Sequence, residues 1–445
     1  MSVSYDAAII GAGADGLSAA AHLARAGLRV VVVERGSKAG GRLQTKEFHP
    51  GHHASPFQDD VPEIPAPLRD GLALALHQTG TVDEAIRQRQ QAALSRVFAE
   101  AAAPAPAQWR RWLERRVPHP ADPWPGSDLA TASLSDWNLP APAGSAIDPR
   151  LAGSALTLLS LPRIAPAAGG LGALGDAFAA AATAAGVEIR LGAEGRDVEM
   201  RRDRLGGRHV RALVLADGGR IETPVVISTL DFKQSILGLF RWNALPAGLV
   251  AKAGAFRMAG STARLLLALR KPLRATPLSL AGGDDARAAW RRGAVPADPP
   301  LTFDPVSGRD PSLAPAGGAV ASVTIGCMPH APFDAPWSPQ RRLALAAQIL
   351  RRLESAIPGV LENLLGVETI VPPDIEAALG TTHGDLEGGL IAPDQALGLR
   401  PGMRTALKGF YLGGKSTAAG PLGTGAAGLA AAVSVLADAR PLGAA

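Results

Sequence analysis

The chain has 445 residues, of which 47% are hydrophobic and 19% charged, proportions typical of a globular protein of two or three domains. The formal net charge of +5 is spread thinly over the chain, so we expect no nucleic-acid partner. The single cysteine, Cys327, excludes an intramolecular disulfide and a CxxC redox pair, and it predicts a reducing compartment.

The sequence shows no sign of export or membrane insertion. A strand pattern begins within a few residues of the N-terminus, where a secretory signal would require a long apolar stretch. No apolar run is long enough to span a bilayer. We therefore expect a cytoplasmic protein that makes at most peripheral contact with a membrane.

A glycine-rich turn near the N-terminus carries the first functional signal. The elements around it are a buried strand at 5–10, a helix at 14–26 and a second buried strand at 28–33. In the GxGxxG spacing, Gly11 allows a tight turn, Gly13 lets a diphosphate approach the backbone, and Gly16 lets the helix lie close to the strand.

Residues beside the glycines fit the same interpretation. Ala14 and Asp15 begin the helix, whose N-terminus offers unpaired N–H groups and a positive dipole to phosphates. Glu34 closes the second strand, where a carboxylate can bind the hydroxyl groups of a ribose. This pattern predicts a dinucleotide site but does not distinguish NAD from FAD.

The next segment favours FAD. Glu34 and Arg35 are followed by Gly40-Gly41-Arg42, and this E-x5-GGR arrangement resembles the extended FAD signature of the amine oxidase and phytoene desaturase superfamily. The resemblance implies that Arg35 contacts the cofactor, that Gly41 runs beside it and that Arg42 approaches its phosphates. Taken by itself, Arg42 also fits a surface arginine after a turn.

A middle block resembles a second cofactor-contacting unit of the same superfamily. It comprises Gly169-Gly170-Leu171, a helix at about 172–185 and a strand at 187–191. The resemblance implies that the backbone of Val198 meets the adenine. Beyond it, we predict a hairpin from 210–215 and 220–222 and a buried strand at 225–228.

The C-terminus supplies the third block. We predict a strand at 410–412, then a glycine-rich loop, then a helix from about 426. The loop residues expected at the flavin are Gly413, Gly414, Gly423, Thr424 and Gly425. Their backbone can pack against a planar ring, and the helix N-terminus can stabilise negative charge on a reduced flavin. Lys415 stands where relatives commonly carry a small residue.

Together these blocks resemble the phytoene dehydrogenase-like branch, which includes the pyridine nucleotide-disulfide oxidoreductase domain 2 proteins. The resemblance covers residues 5–60, about 160–235 and about 320–440. It implies an α/β protein with a Rossmann-type FAD-binding domain, built of a parallel sheet with a β-ribbon, and an interleaved α+β substrate domain.

The domain boundaries follow from these blocks. We assign 1–70, 155–235 and 370–445 to a discontinuous FAD-binding domain, and 71–154 and 236–369 to the substrate domain. Segments 101–127 and 281–300, rich in Ala, Pro and charge, are predicted to be loops or an exposed lid.

The resemblance implies non-covalently bound FAD and an oxidoreductase that dehydrogenates or isomerises a small lipophilic, isoprenoid-like or carotenoid-like substrate. Oxygen or a quinone would then reoxidise the flavin. The catalytic residue is not determined; His383, beside Asp385, is a candidate for proton transfer. No metal site is predicted, because the His52-His53 pair in the loop after Arg42 lacks a third ligand.

Two other functions stay open. One is a flavin-binding interaction protein with little turnover, which a shortened lid region and the lack of an evident acid–base pair favour. The other is NAD(P)H-dependent reduction, although the glycines at 169–172 and 413–425 do not form a second dinucleotide fingerprint.

Overall fold

The fold was analysed in a computed structural model of the chain. The structure describes residues 4–72, 75–79, 162–202, 207–241, 244–390 and 400–439, together with 95, 98–99, 101–103 and 395. Most of the segment 71–154, assigned to the substrate domain, and all but the first three residues of the predicted loop 101–127 lie outside this range.

The described residues form 18 strands and nine α-helices. The strands are β1 (Ala7–Ile10), β2 (Val30–Glu34), β3 (Lys46–His49), β4 (His52–Ala54), β5 (Val61–Pro62), β6 (Leu76–Gln78), β7 (Arg163–Pro166), β8 (Glu188–Leu191), β9 (Gly195–Arg202), β10 (Arg208–Leu215), β11 (Arg220–Glu222), β12 (Val226–Ser228), β13 (Ala263–Leu269), β14 (Leu278–Leu280), β15 (Leu301–Asp304), β16 (Ala319–Ile325), β17 (Leu364–Ile370) and β18 (Phe410–Leu412). The α-helices are α1 (Ala14–Arg25), α2 (Ala66–Arg69), α3 (Gly170–Ala184), α4 (Ala247–Ala255), α5 (Ala286–Arg291), α6 (Pro339–Ala356), α7 (Val360–Asn363), α8 (Pro372–Leu379) and α9 (Ala426–Ala439).

One main sheet is five-stranded and parallel, with the strand order β18-β12-β1-β2-β8. Its inner strands are continuous apolar runs because both faces are buried. Ile9 and Val32 pack on the side of α1, α3 and α9. Ile10 and Val33 pack against the three-stranded β11-β10-β9 ribbon. This arrangement confirms the Rossmann-type α/β fold with its β-ribbon.

A second sheet, in the order β14-β15-β16-β13-β17, is antiparallel throughout. One face packs Leu265 and Leu267 against the apolar side of α6. The other face packs Leu266 and Val320 against residues that follow the N-terminal glycine motifs, including Phe57. This second face, which we call the inner face, therefore packs against the N-terminal segment.

The five predicted parallel strands and the predicted hairpin of the ribbon are present, with ends shifted by two residues or fewer. Two expectations are wrong. The region after Arg42 is a β3–β4 hairpin and not a loop, so His49, His52 and His53 lie on strands. Segment 281–300 contains the short helix α5, whose Ala286 and Ala289 are buried.

The parallel sheet draws its strands only from the three segments assigned to the FAD-binding domain, while the domain boundaries themselves stay a prediction. Within the described residues, no helix has the length and apolarity needed to cross a bilayer.

Candidate flavin site

The glycine turn joins β1 to α1 with almost no free space. Gly11 has a φ of +99°, and a Cβ placed there would lie 2.4 Å from Thr229 Oγ1. A Cβ on Gly16 would lie 1.9 Å from the Gly11 carbonyl oxygen. Gly13 caps α1 in an extended conformation with no side chain above the helix N-terminus. The first turn of α1, with Ala14 and Asp15, is therefore open to a close-fitting anion.

The Glu34 carboxylate lies directly beside this turn. Its Oε2 accepts the backbone N–H of Ala12 at 2.8 Å, and its Oε1 accepts that of Gly36 at 2.7 Å. An ionised carboxylate has lone pairs left after two such bonds. The acid is thus held at the position that the sequence predicts for ribose recognition, with capacity for further donors.

The Gly40-Gly41-Arg42 segment passes next to the same turn. Gly40 donates its N–H to the Ala12 carbonyl at 2.8 Å. A Cβ on Gly41, where φ is +58°, would lie 3.0 Å from the Cα of Gly13. Arg42 then reaches inward, and its Nη1 donates to the Leu386 carbonyl at 2.5 Å.

The C-terminal loop closes the site from the opposite end of the chain. A Cβ on Gly413 would lie 2.9 Å from Ile227 Cγ2, and one on Gly414 would lie 2.4 Å from the Thr229 carbonyl. The Gly423-Thr424-Gly425 turn instead packs on the N-terminal segment of the chain. Thr424 Oγ1 donates to the Pro62 carbonyl at 2.7 Å. A Cβ on Gly423 would lie 3.1 Å from the Glu63 carbonyl, and one on Gly425 would lie 2.4 Å from Ser18 Oγ. The loop is therefore fitted to the first strand and helix through backbone contacts.

Helices α1 and α9 meet at their N-terminal ends. The Gly428 N–H donates to Asp15 Oδ1 at 3.4 Å, and a Cβ on Gly428 would lie 1.7 Å from the Asp15 carbonyl oxygen. Burial raises the pKa of Asp15 to about 6, against the opposing effect of Arg42. Two helix N-termini, and hence two positive dipole ends, converge here.

Three cations gather beside these helix ends around one carboxylate. Lys415 Nζ lies 3.3 Å from Glu387 Oε2. The charge of Lys415, supported by Arg42 and Arg163, lowers the pKa of Glu387 to about 2. Burial, followed by repulsion from Arg42, lowers the pKa of Lys415 to about 8. We call Arg42, Arg163 and Lys415 the cationic cluster.

A buried arginine binds the two backbone segments that carry Glu387 and Lys415. Arg400 is 5% exposed and donates to the carbonyls of Gly388, Gly389 and Lys415 at 2.9 to 3.1 Å. A Cβ on Gly388 would lie 2.6 Å from the Lys415 carbonyl carbon. The Glu387-Gly388-Gly389 segment is thereby held against the C-terminal loop.

Sequence reasoning missed Arg163, Glu387 and Arg400. The Gly388-Gly389 pair was the available signal, because two glycines with positive φ often mark a close backbone approach. Arg163 has no local motif; it reaches the site only because β7 pairs with β5 and its guanidinium binds Asp60.

Three predicted residues lie in other environments. Arg35 donates to the Ala377 carbonyl at 2.8 Å, at the end of α8. The Val198 N–H donates to the Leu239 carbonyl at 2.9 Å, so this backbone donor already has a partner. His383 is exposed. Its backbone N–H donates to Glu376 Oε1, and its ring nitrogen Nδ1 lies 3.2 Å from the Met258 carbonyl. Their assigned roles stay predictions.

The arrangement fits a flavin dinucleotide. A diphosphate carries negative charge that the helix N-termini and the cationic cluster would neutralise, and the side-chain-free turn admits it without a Cβ in the way. Glu34, whose carboxylate oxygens accept the N–H groups of Ala12 and Gly36, would hold the sugar of such a cofactor. Among the described residues, no group of three or more His, Cys, Asp or Glu side chains is arranged to hold a metal.

Comparisons with known proteins agree with this geometry. The model of an NAD(P)-binding Rossmann-like domain matches residues 9–58, and that of flavin containing amine oxidoreductase matches residues 148–435. The pyridine nucleotide-disulfide oxidoreductase domain-containing protein 2 of Rattus norvegicus is 26% identical over 98% of this chain and 94% of its own length. A 43-residue stretch, 10% of this chain and 8% of the relative, is 56% identical to a limonene dehydrogenase subunit of Castellaniella defragrans.

A solved structure shares the fold. Wild-type putrescine oxidase bound to putrescine superposes with a TM-score of 0.58 at 16% identity, covering 98% of this chain and 99% of that chain.

Fold, site and family model define a flavin-dependent oxidoreductase with a Rossmann-type cofactor domain. Since the second family model covers well over half of its residues, the chain belongs to the flavin containing amine oxidoreductase family.

Proposed function

We propose that this protein binds FAD non-covalently and uses it to dehydrogenate or isomerise a lipophilic, isoprenoid-like or carotenoid-like substrate. The observation that carries the cofactor assignment is the convergence of the cationic cluster and the N-termini of α1 and α9 on the glycine turn. A diphosphate between two halves of a dinucleotide matches this concentration of positive charge, whereas FMN brings one phosphate and no adenosine for Glu34.

Non-covalent binding is supported by where the reactive side chains lie. Cys327, the single cysteine of the chain, follows β16 in the second sheet, and the charged group acting on its thiol is Arg287. The two tyrosines are engaged elsewhere: the hydroxyl of Tyr5 donates to Glu188, and that of Tyr411 donates to Asp438. Both tyrosine hydroxyls are thus already bound to a carboxylate.

A bound flavin supplies a two-electron acceptor, and the chain's residues have to bind, orient and shield it. In this proposal the cationic cluster holds the diphosphate, Glu34 holds the ribose, and the Gly413-Gly414 backbone lies against the ring. The electron acceptor that regenerates the oxidised flavin is proposed to be oxygen or a quinone.

The substrate class needs support of its own. The stretch shared with the limonene dehydrogenase subunit favours a hydrocarbon-like substrate. The similarity to putrescine oxidase concerns the fold alone. We also propose a cytoplasmic location with peripheral membrane contact, which would suit a lipophilic substrate. We propose no nucleic-acid partner.

Anaerobic reduction of the bound flavin tests this function. The flavin-loaded protein is mixed, without oxygen, with a panel of monoterpenes, polyenes, fatty acids and primary amines, and loss of the oxidised flavin absorption is followed. We expect bleaching with one of the lipophilic compounds. Bleaching with amines alone would contradict the substrate class. An oxidised spectrum with every compound would favour the competing proposal of a flavin-binding interaction protein.

A further inference from the structure

A row of polar side chains crosses the inner face of the second sheet. Ser279 is opposite Thr302, Thr302 is opposite Thr324, and Thr324 is opposite Arg264, so all four share one face. We call these four residues the polar row. Ser279 is exposed, Thr302 and Thr324 are half-buried, and Arg264 is 1% exposed. The polar row thus leads from solvent to a buried guanidinium.

Of the three guanidinium nitrogens of Arg264, two have hydrogen-bond partners within the described residues. Its Nη1 donates to Thr324 Oγ1 at 2.7 Å and its Nη2 to Asp59 Oδ1 at 2.6 Å. The Nε–H is buried and has no hydrogen-bond partner among the residues that the structure describes. A buried donor without an acceptor costs about 1–3 kcal/mol, so an acceptor from beyond the described residues is expected at this position.

The local charge selects the kind of acceptor. Asp59 neutralises Arg264, and Arg309 is paired with Asp304 through two bonds of 2.6 and 2.7 Å. With both cations matched, an added carboxylate would gain little attraction and would lie near Asp59. A neutral oxygen can accept the Nε–H without that repulsion.

The surroundings of the guanidinium are apolar. Leu266, Val320 and Ile370 lie on the same face of the sheet and are at most 5% exposed. These side chains pack against Phe57, so an acceptor that reaches the Nε–H enters an apolar environment in which a second unpaired charge would be costly.

Two consecutive aspartates connect the polar row to the flavin site. Asp59 binds Arg264, while Asp60 binds Arg163 through its side chain at 2.5 Å and its carbonyl at 2.9 Å. Arg163 in turn contributes to the field at Glu387 and Lys415. The polar row and the cationic cluster are thus neighbours across a single short segment.

We propose that the polar row is a substrate-recognition subsite, in which Arg264 Nε–H donates to a neutral carbonyl or hydroxyl oxygen of an otherwise apolar substrate. The inference rests on the proposed function, because it identifies the polar group of that lipophilic substrate. Arg264 is in this account a specificity-determining residue and takes no part in moving electrons.

Ligand-observed NMR tests the subsite without requiring turnover. Saturation transfer from the flavin-loaded protein to cyclohexanone and to cyclohexanecarboxylate is measured over a range of probe concentrations. We expect cyclohexanone to bind more tightly than the carboxylate. Arg264→Lys keeps a cation for Asp59 but removes the Nε–H, and it should weaken cyclohexanone binding about fivefold to tenfold.

Arg309→Lys is the matched control and should leave cyclohexanone binding unchanged. If Arg264→Lys does not fold, Thr324→Val serves instead, because loss of the hydroxyl that fixes the guanidinium should weaken binding severalfold. The proposal is overturned if the carboxylate binds at least as tightly as the ketone, if neither binds, or if Arg264→Lys leaves ketone binding unchanged, since the Nε–H then serves water or the cofactor. A protein that binds cyclohexanone but oxidises nothing would refute the proposed function and leave the subsite standing.

Discussion

Lys415 is the residue whose charge is most sensitive to the state of the site. It is 18% exposed, lies 3.3 Å from Glu387 and has a pKa of about 8 before a cofactor anion is added. A bound diphosphate favours the charged ammonium, so binding above pH 8 has to be accompanied by uptake of a proton.

We therefore predict that FAD affinity is nearly constant from pH 7 to 7.5, where Asp15 is already ionised, and falls as pH rises through about 8, by up to about tenfold per unit. Lys415→Gln should weaken binding about tenfold at pH 7 and remove the decline above pH 8. Flavin fluorescence titration of the apoprotein measures both effects.

Lys408→Gln is the control, because Lys408 is exposed on the same C-terminal segment. It should retain the wild-type affinity and pH profile. If Lys415→Gln shows the same decline with pH as the wild type, the ammonium of Lys415 is not a ligand of the cofactor.

At the residue scale, the sequence could reveal only what is local. Gly11, Gly13 and Gly16 are recognisable because one short turn imposes all of their constraints. Glu387 and Arg163 are not, since they meet Lys415 only after three distant segments have folded together.

Among the elements, helices α1 and α9 can pack as closely as they do because residue 428 is a glycine. A Cβ on Gly428 would lie 1.7 Å from the Asp15 carbonyl oxygen, a backbone atom that cannot move without shifting the start of α1. Close packing of these helices also sets the position of the glycine turn.

Gly428→Ala should reduce the free energy of unfolding by about 3 kcal/mol and weaken FAD binding, because α1 has to move away from α9. Gly248→Ala, in α4, is the matched helix control. A Cβ there meets nothing within 4 Å, so this change should leave stability within about 1 kcal/mol of the wild type. Urea unfolding measures the free energy of unfolding of the two variants. Equal values would refute the close contact between α1 and α9.

Elements with strong periodicity were predictable, and those without it were not. β1, β2 and β18 are short, mainly apolar runs, as expected of parallel strands buried on both faces, and β1 and β18 are followed directly by glycine. The β3–β4 hairpin is polar, with three histidines and a Pro50-Gly51 turn, and only its contact with the second sheet stabilises it as strands.

On the scale of the whole molecule, the Asp59–Arg264 ion pair joins the N-terminal segment to the second sheet across 205 positions of sequence. Burial alone would raise the pKa of Asp59, but the Arg264 guanidinium outweighs it and holds the pKa below its ordinary value. A carboxyl with a lowered pKa stabilises the fold above its unfolded pKa, and this stability is lost as pH falls below about 4.

Asp59→Asn should destabilise the protein by about 3–5 kcal/mol at pH 7, because it leaves the Arg264 charge buried without a partner. The loss relative to the wild type should shrink as the wild type is acidified below about pH 4. Asp284→Asn, at an exposed position, should change stability by less than about 0.5 kcal/mol. Denaturant unfolding at pH 7 and pH 3.5 checks the pair; equal stability of the two variants at pH 7 would contradict the account.

The family resemblance predicted that segments of the two domains alternate along the chain. It did not predict the ion pairs that connect the N-terminal segment to the second sheet and to β7. Asp59 and Asp60 lie in a stretch with no motif, and their opposite partners, Arg264 and Arg163, are set by the register of β13 and β7. No pattern in one chain reports which distant arginine will neutralise which acid.

The central claim is that the chain ends enclose FAD held without a covalent bond. Its most direct test is the absorption spectrum of the purified protein, taken before and after denaturation, with the released cofactor identified by mass. The account predicts a yellow protein that releases intact FAD and takes it up again after refolding. A colourless protein that binds no added FAD, or a flavin that stays attached to the denatured chain, would contradict it.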